Sequence, residues 1–170
     1  MFEQDFTDAI ALLKADHRKV EQLFAAFEEA SGASRKEKLA GEICVELKIH
    51  TMIEEEIFYP AFAGKIEQDL LDEALVEHDG AKLLVNDIEA GGPDEAFYDA
   101  KVKVLCEQIE HHVKEEEKPS EGMFAQCRKA DVDLVELRDR MLARKEELMA
   151  QAEAGKLPPA QVSAVDLTTA

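Results

Sequence analysis

Residues 5–29, 34–59, 67–89 and 94–118 carry apolar side chains at steps of three and four, and Gly or Pro lies close to the end of each stretch. Such spacing puts the apolar positions on one face of a helix, and four such faces are buried most simply against one another. In the first stretch the face is Ile10, Leu13, Val20, Phe24 and Phe27. Ser31-Gly32 closes it, and Ser34 with Glu37 three residues on reads as a capping box for the second. The second is expected to stop near Pro60, the third at Gly91-Gly92-Pro93 and the fourth at Pro119. A short segment with Gly122, Met123 and Phe124 follows, then a fifth helix over 131–155 with Asp131 as its cap. The expected fold is all-α: an up-down-up-down antiparallel four-helix bundle with an additional C-terminal helix. One domain is expected over 1–155, with its core in 5–125, and residues 156–170 read as an extended tail.

The chain has five histidines, and each long helix brings at least one. His17 continues the stripe of Ile10, Leu13, Val20 and Phe24, and His78 continues that of Leu71, Leu75, Ala81 and Val85. Ile43, Leu47, His50, Glu54 and Ile57 share a face of the second helix, as Leu105, Ile109, His112 and Glu116 share one of the fourth. His111 lies instead with Val104, Glu107, Gln108 and Glu115, so His112 and Glu116 are preferred to His111 and Glu115 as core residues. Four imidazoles and two carboxylates therefore face a bundle interior. Unpaired buried polar groups cost about 1–3 kcal/mol each, and a pair of metal ions removes that cost.

The chain also reads as doubled. DHRKVEQLFAAFE around His17 resembles EHDGAKLLVNDIE around His78, and HTMIEEE from His50 resembles HVKEEE from His112. The interval from His17 to His50 is 33 residues, and from His78 to His112 it is 34. Two hairpins of one design suit a site with two equivalent metals. Imidazole suits Fe, Zn, Cu and Ni, and added carboxylates favour Fe or Mn. Asp16, Glu77 and Glu46 are candidates to hold the outer ring nitrogens. Glu55, Glu56, Glu115 and Glu117 read as surface charge, and Cys44 and Cys106 as small buried apolar residues.

A net charge of −18 opposes phosphate backbones and anionic lipid, so neither nucleic acid nor membrane is an expected partner. No apolar run approaches the roughly 18 residues of a membrane helix, and the N-terminal residues lack the pattern of a signal peptide. Three cysteines without CxxC suit a reducing, cytoplasmic setting. HExxH, Walker A and GxGxxG are absent, as is the Glu-x-x-His of ferritin-like bundles.

His17, the H-T-M-I-E of His50 to Glu54, His78, and the H-V-K-E-E of His112 to Glu116 together resemble the hemerythrin-like family, the HHE cation-binding domains. The resemblance covers about residues 5–125. It implies a non-haem di-iron centre, oxo- or hydroxo-bridged, with His17, His50, Glu54, His78, His112 and Glu116 as metal ligands, and Zn or Mn as substitutes. It implies a small ligand such as oxygen, peroxide or nitric oxide, handled by a carrier, a sensor or an iron-handling protein. An oxidase or peroxidase-like enzyme is the alternative. Oxygen-carrying hemerythrins use five histidines, and here KPSEGMF follows the last glutamates where the family more often continues to Phe-Pro.

Overall fold

The computed structural model describes residues 5–168. The first four residues of the expected domain and the last two of the expected tail lie outside that range. The described residues form six helices and no strand: α1 (Ala9–Glu29), α2 (Ala33–Ile53), α3 (Gln68–Ala90), α4 (Tyr98–Glu117), α5 (Met123–Lys129) and α6 (Leu134–Glu153). Beyond Ile53, α2 runs on through a π-helical turn, Glu54–Phe58, into a last α-helical turn, Tyr59–Phe62.

α1 packs on α2, α2 on α3, α3 on α4, and α4 back on α1. Lys19 pairs with Glu46 while His17 meets His50, so α1 and α2 run antiparallel. Lys101 with Asp87, and His112 with His78, give the same sense for α3 and α4.

Several helix ends differ from the sequence reading. Gly32, at φ 91°, reverses the chain and starts α2 at Ala33, so Ser34 lies inside the first turn and caps nothing. Proline disrupts an α-helix because its ring meets the carbonyl four residues back. Here Tyr59 N–H bonds to Glu54 five residues back, and the widened turn carries the helix past Pro60 to Phe62. The extra residue moves the buried face from Ile57 to Phe58 and Tyr59. α4 begins at Tyr98 rather than near Asp94, after a turn that ends on Phe97 at φ 70°. Asp133, not Asp131, caps α6, accepting from the N–H groups of Val135 and Glu136. Between α4 and α6 the segment around Phe124 is itself helical. Its entry needs Gly122, because a Cβ there would lie 2.4 Å from the Lys118 carbonyl.

The interior has two apolar layers with a polar waist between them. One layer gathers Ile10 and Leu13 of α1, Phe58 and Phe62, Leu71, Phe124, and Leu137, Met141 and Leu148 of α6. The other gathers Val20, Phe24, Ile43, Leu47, Val85, Leu105 and Ile109. Each of the four long helices crosses the waist once, at His17, at His50 and Glu54, at His78, and at His112 and Glu116. α6 closes the first layer, with Met141 and Leu148 fully buried. Met141→Ala or Leu148→Ala is expected to cost about 2–5 kcal/mol in chemical denaturation of the metal-free protein. A cost near zero would make α6 an appendage.

Candidate metal centre

The waist brings together two groups that share their carboxylates: His17, His50, Glu54 and Glu116, and Glu54, His78, His112 and Glu116. All six residues are buried, Glu54 completely. In the first group Nε2 of His17 and Nε2 of His50 are 3.2 Å apart. In the second, Nε2 of His78 and Nε2 of His112 are 3.1 Å apart. Glu54 spans the groups, with Oε1 3.2 Å from His50 and Oε2 3.1 Å from His78. Glu116 does the same, with Oε2 3.3 Å from His17 and Oε1 3.1 Å from His112. His112 and Glu116 therefore occupy the waist. His111 is largely exposed beside Glu77, and Glu115 belongs to neither group.

Every outer ring nitrogen meets a carboxylate from a neighbouring helix. Nδ1 of His17 is 2.8 Å from Glu117, and Nδ1 of His78 is 2.9 Å from Glu55. Nδ1 of His50 lies 3.2 Å from Asp16, and Nδ1 of His112 lies 3.2 Å from Glu77. A carboxylate there accepts the Nδ1–H, so a neutral imidazole presents its Nε2 lone pair to the interior. Asp16 and Glu77 thus serve the histidine of the next helix rather than the one beside them in sequence. Glu46 pairs with Lys19 and reaches no histidine, and Glu56 pairs with Arg144 of α6. Glu55 and Glu117, read from sequence as surface charge, are the other two holders.

Four inward lone pairs around two carboxylates repel one another unless cations lie among them. Glu54 Oε1 and Glu116 Oε2 are buried and accept no hydrogen bond. Protons are one remedy. Burial opposes a charged His50, but Glu54 and Asp16 overcome it and push the imidazole up to about 10. Burial likewise opposes ionisation of Glu54 and Asp16, yet His50 and His78 bring Glu54, and His50 with Lys145 bring Asp16, down to about 2. At 3.2 Å His17 and His50 can hold only one proton between their Nε2 atoms, so protons relieve the crowding only in part. Two metal ions fit the donor set better: each would have two imidazoles and an oxygen from both shared carboxylates.

The sequence reading missed Tyr59. Its hydroxyl donates to Glu116 Oε1 at 2.7 Å and lies 3.1 Å from Glu54 Oε2 and 3.2 Å from His78 Nε2. On a regular α-helix a residue five positions on is turned away by about 140°. The π turn returns Tyr59 to the face of Glu54, and Pro60 was the one sequence sign of that irregularity. Burial and the two carboxylates push the phenol well above its usual value, so it keeps its proton. On the other side of the waist Phe124 stacks on His17 at 5.8 Å instead. Burial pushes the Cys44 and Cys127 thiols up to about 12 and the half-buried Cys106 up to about 11, so none supplies a thiolate at neutral pH.

Comparison with known proteins agrees with this architecture. A crystal structure of a hemerythrin HHE cation binding domain-containing protein, the Rv2633c homolog from Mycobacterium kansasii, superposes with a TM-score of 0.73. It is 24% identical, and the match covers 94% of this chain and 99% of that one, so the fold is shared. A DNA nickase from Nostoc sp. (strain PCC 7120 / SAG 25.82 / UTEX 2576) is 26% identical over 106 residues, 62% of this chain. The matched part spans only 30% of that protein's length. Residues 8–127, which hold all six buried histidines and glutamates of the waist, match the Hemerythrin HHE cation binding domain, and the chain belongs to that family.

Proposed function

We propose that the chain is a non-haem two-metal protein that binds a small ligand such as oxygen, peroxide or nitric oxide, as a carrier, a sensor or an iron-handling protein. His17, His50, Glu54 and Glu116 hold one ion, Glu54, His78, His112 and Glu116 the other. The observation that carries this is the pair of buried carboxylates, each placing one oxygen in each histidine pair. Two imidazoles with shared carboxylates suit iron first, with Mn or Zn as substitutes. Such ions supply Lewis acidity, and iron adds electrons. A chamber of about 20 Å³ lies beside the histidines, walled by Val20, Leu47, Thr51, Ile109 and Val113. It has room for about one water, a size that suits a small ligand at the histidines.

One feature favours the enzymatic alternative, an oxidase or peroxidase-like catalyst: Tyr59 holds a proton at the second histidine pair. Turnover of hydrogen peroxide by the loaded chain tests it. On the enzymatic reading Tyr59→Phe keeps two ions and lowers turnover about 10²–10⁴-fold, the usual worth of a positioned proton donor. A chain without turnover is a carrier or sensor. We propose no nucleic-acid partner: a net charge of −18 works against a phosphate backbone. No described helix is long and apolar enough to cross a membrane. Three free cysteines accord with the cytoplasmic setting we propose.

The decisive test is elemental analysis with a visible spectrum, on protein purified aerobically without chelator. Two irons per chain with near-ultraviolet ferric bands are expected. No metal above trace, even after anaerobic ferrous loading, would sink the proposal.

A further inference from the structure

The two histidine pairs mirror each other, but what holds them does not. Glu117, which holds His17, is itself bonded by Arg18, a half-exposed side chain. Its counterpart Glu55, which holds His78 and is about as exposed as Glu117, is bonded instead by a buried lysine and by the tail. The ammonium of Lys82 lies 2.8 Å from both Glu55 oxygens, and the Ser163 hydroxyl donates to Oε1. Lys82 is almost fully buried, and its remaining contacts are Asp79, the Ser163 hydroxyl and the Gln161 carbonyl at 2.9 Å.

Ser163 and Gln161 belong to the tail, and the tail is seated residue by residue. Asp79 has no exposed surface and accepts the backbone N–H of Ser163 at 2.8 Å, Ala164 at 2.6 Å and Val165 at 2.7 Å. Asn86 exchanges two 2.8 Å bonds with Ala160. Buried Lys48 donates to the Pro158 carbonyl at 3.1 Å. Asp79, Lys82 and Asn86 follow helical steps of three and four along α3, and Lys48 and Glu55 lie seven apart on α2. Together they make a polar track that receives residues 158–165 as an extended strap. The other histidine pair is supported differently: Lys145 of α6 bonds Asp16, which holds His50.

We propose that the strap 158–165 positions His78, through Ser163 and Lys82 acting on Glu55, and that the ion held by His78 and His112 depends on the strap being seated. This rests on the two-metal reading above. A carboxylate behind a metal-binding imidazole fixes the ring and its tautomer, and losing such a partner costs about 10–100-fold in metal affinity. The coupling runs both ways: whatever favours the ion favours the seated strap, and the ion must slow opening of the strap.

The test loads the full-length chain with ferrous iron under anaerobic conditions and challenges it with a ferrous chelator. Three variants accompany it: deletion of 158–170, Ser163→Ala, and Ser163→Thr, which keeps the hydroxyl. The full chain is expected to keep two irons at a chelator concentration where the deletion keeps one. Ser163→Ala should release one iron about 10-fold more readily, and Ser163→Thr should restore it. In the full chain, hydrogen exchange at the amides of 163–165 is expected to slow on loading. Two irons held equally tightly with and without the strap would overturn the proposal, as would equal loosening of both irons, the mark of general destabilisation. Exchange at 163–165 indifferent to iron would also overturn it. A full chain that takes up no iron overturns the two-metal reading itself and this inference with it.

Discussion

Glu54→Ala is expected to empty both metal positions, whereas His17→Ala is expected to weaken mainly one. The difference follows from the carboxylate geometry. Glu54 places one oxygen beside His50 and the other beside His78, so its loss takes a donor from each ion. His17 belongs to a single group. Losing only an outer partner of a metal ligand costs about 10–100-fold in affinity, and losing a shared inner donor should cost more than about 100-fold at both positions. The metal-free protein should suffer too. Without Glu54 the protonated His50 loses its nearest inner counter-charge and keeps Asp16, with a Glu116 oxygen within 4.8 Å, and breaking a buried pair by removing one partner typically costs about 3–5 kcal/mol. His50→Leu separates this account from a helical module that binds no metal. Such a module would lose only the buried pairs of His50 with Asp16 and Glu54, and added metal would change the stability of neither the parent nor the variant. The two-metal account requires His50→Leu to lose an ion, together with the stabilisation that ion gives the folded state. Elemental analysis and melting temperatures with and without metal distinguish the two, and a His50→Leu chain that still holds two ions ends the ligand assignment.

The six inward residues were legible because a helix repeats every three or four positions, and His112 was separable from His111 on that ground alone. The holders of the outer nitrogens were not. Neighbours in sequence do not face each other on a helix. Asp16 and Glu77, each one residue before a histidine, therefore point sideways and meet the histidine of the adjacent helix. Pairing them correctly requires knowing which helices are neighbours, which single-helix periodicity does not contain. Glu55 and Glu117 sit in runs of three glutamates that look like solvated surface. Tyr59 was hidden by an insertion in the helix rather than by its chemistry: counted in α-helical steps it falls off the stripe. The seat of the strap was hidden for a third reason. It is made of polar side chains and backbone amides, and such attachments leave no apolar period in the sequence. The short connections and apolar stripes, by contrast, point directly to a helical bundle, in which four amphipathic helices bury their faces against one another.

Metal-dependent stabilisation is expected to grow as the pH rises from about 6.5 towards 10. In the metal-free protein His50 is raised from 6.5 to about 10, burial opposing the shift and Glu54 and Asp16 driving it. His17 and His112 are raised as well. Groups raised on folding give stability that is fully present below 6.5 and lost as the pH rises through their folded values. Asp16 falls from 3.8 and Glu54 from 4.5, each to about 2, so their contribution is present above those ordinary values and lost as the pH falls through 2. The metal-free chain should therefore be most stable between about 4.5 and 6.5, and each proton difference changes the slope by about 1.4 kcal/mol per pH unit. A metal ion competes for the same Nε2 atoms as those protons, so each ion bound releases protons and affinity rises with pH. The two trends oppose each other: above 6.5 the metal-free protein weakens while the ions bind better. The melting temperatures of loaded and metal-free protein should then separate steadily between pH 6.5 and 9. Equal separation across that range would mean that the inner nitrogens carry no protons for the metal to displace. The buried carboxylates would then lack the counter-charge that holds them ionised in the metal-free protein.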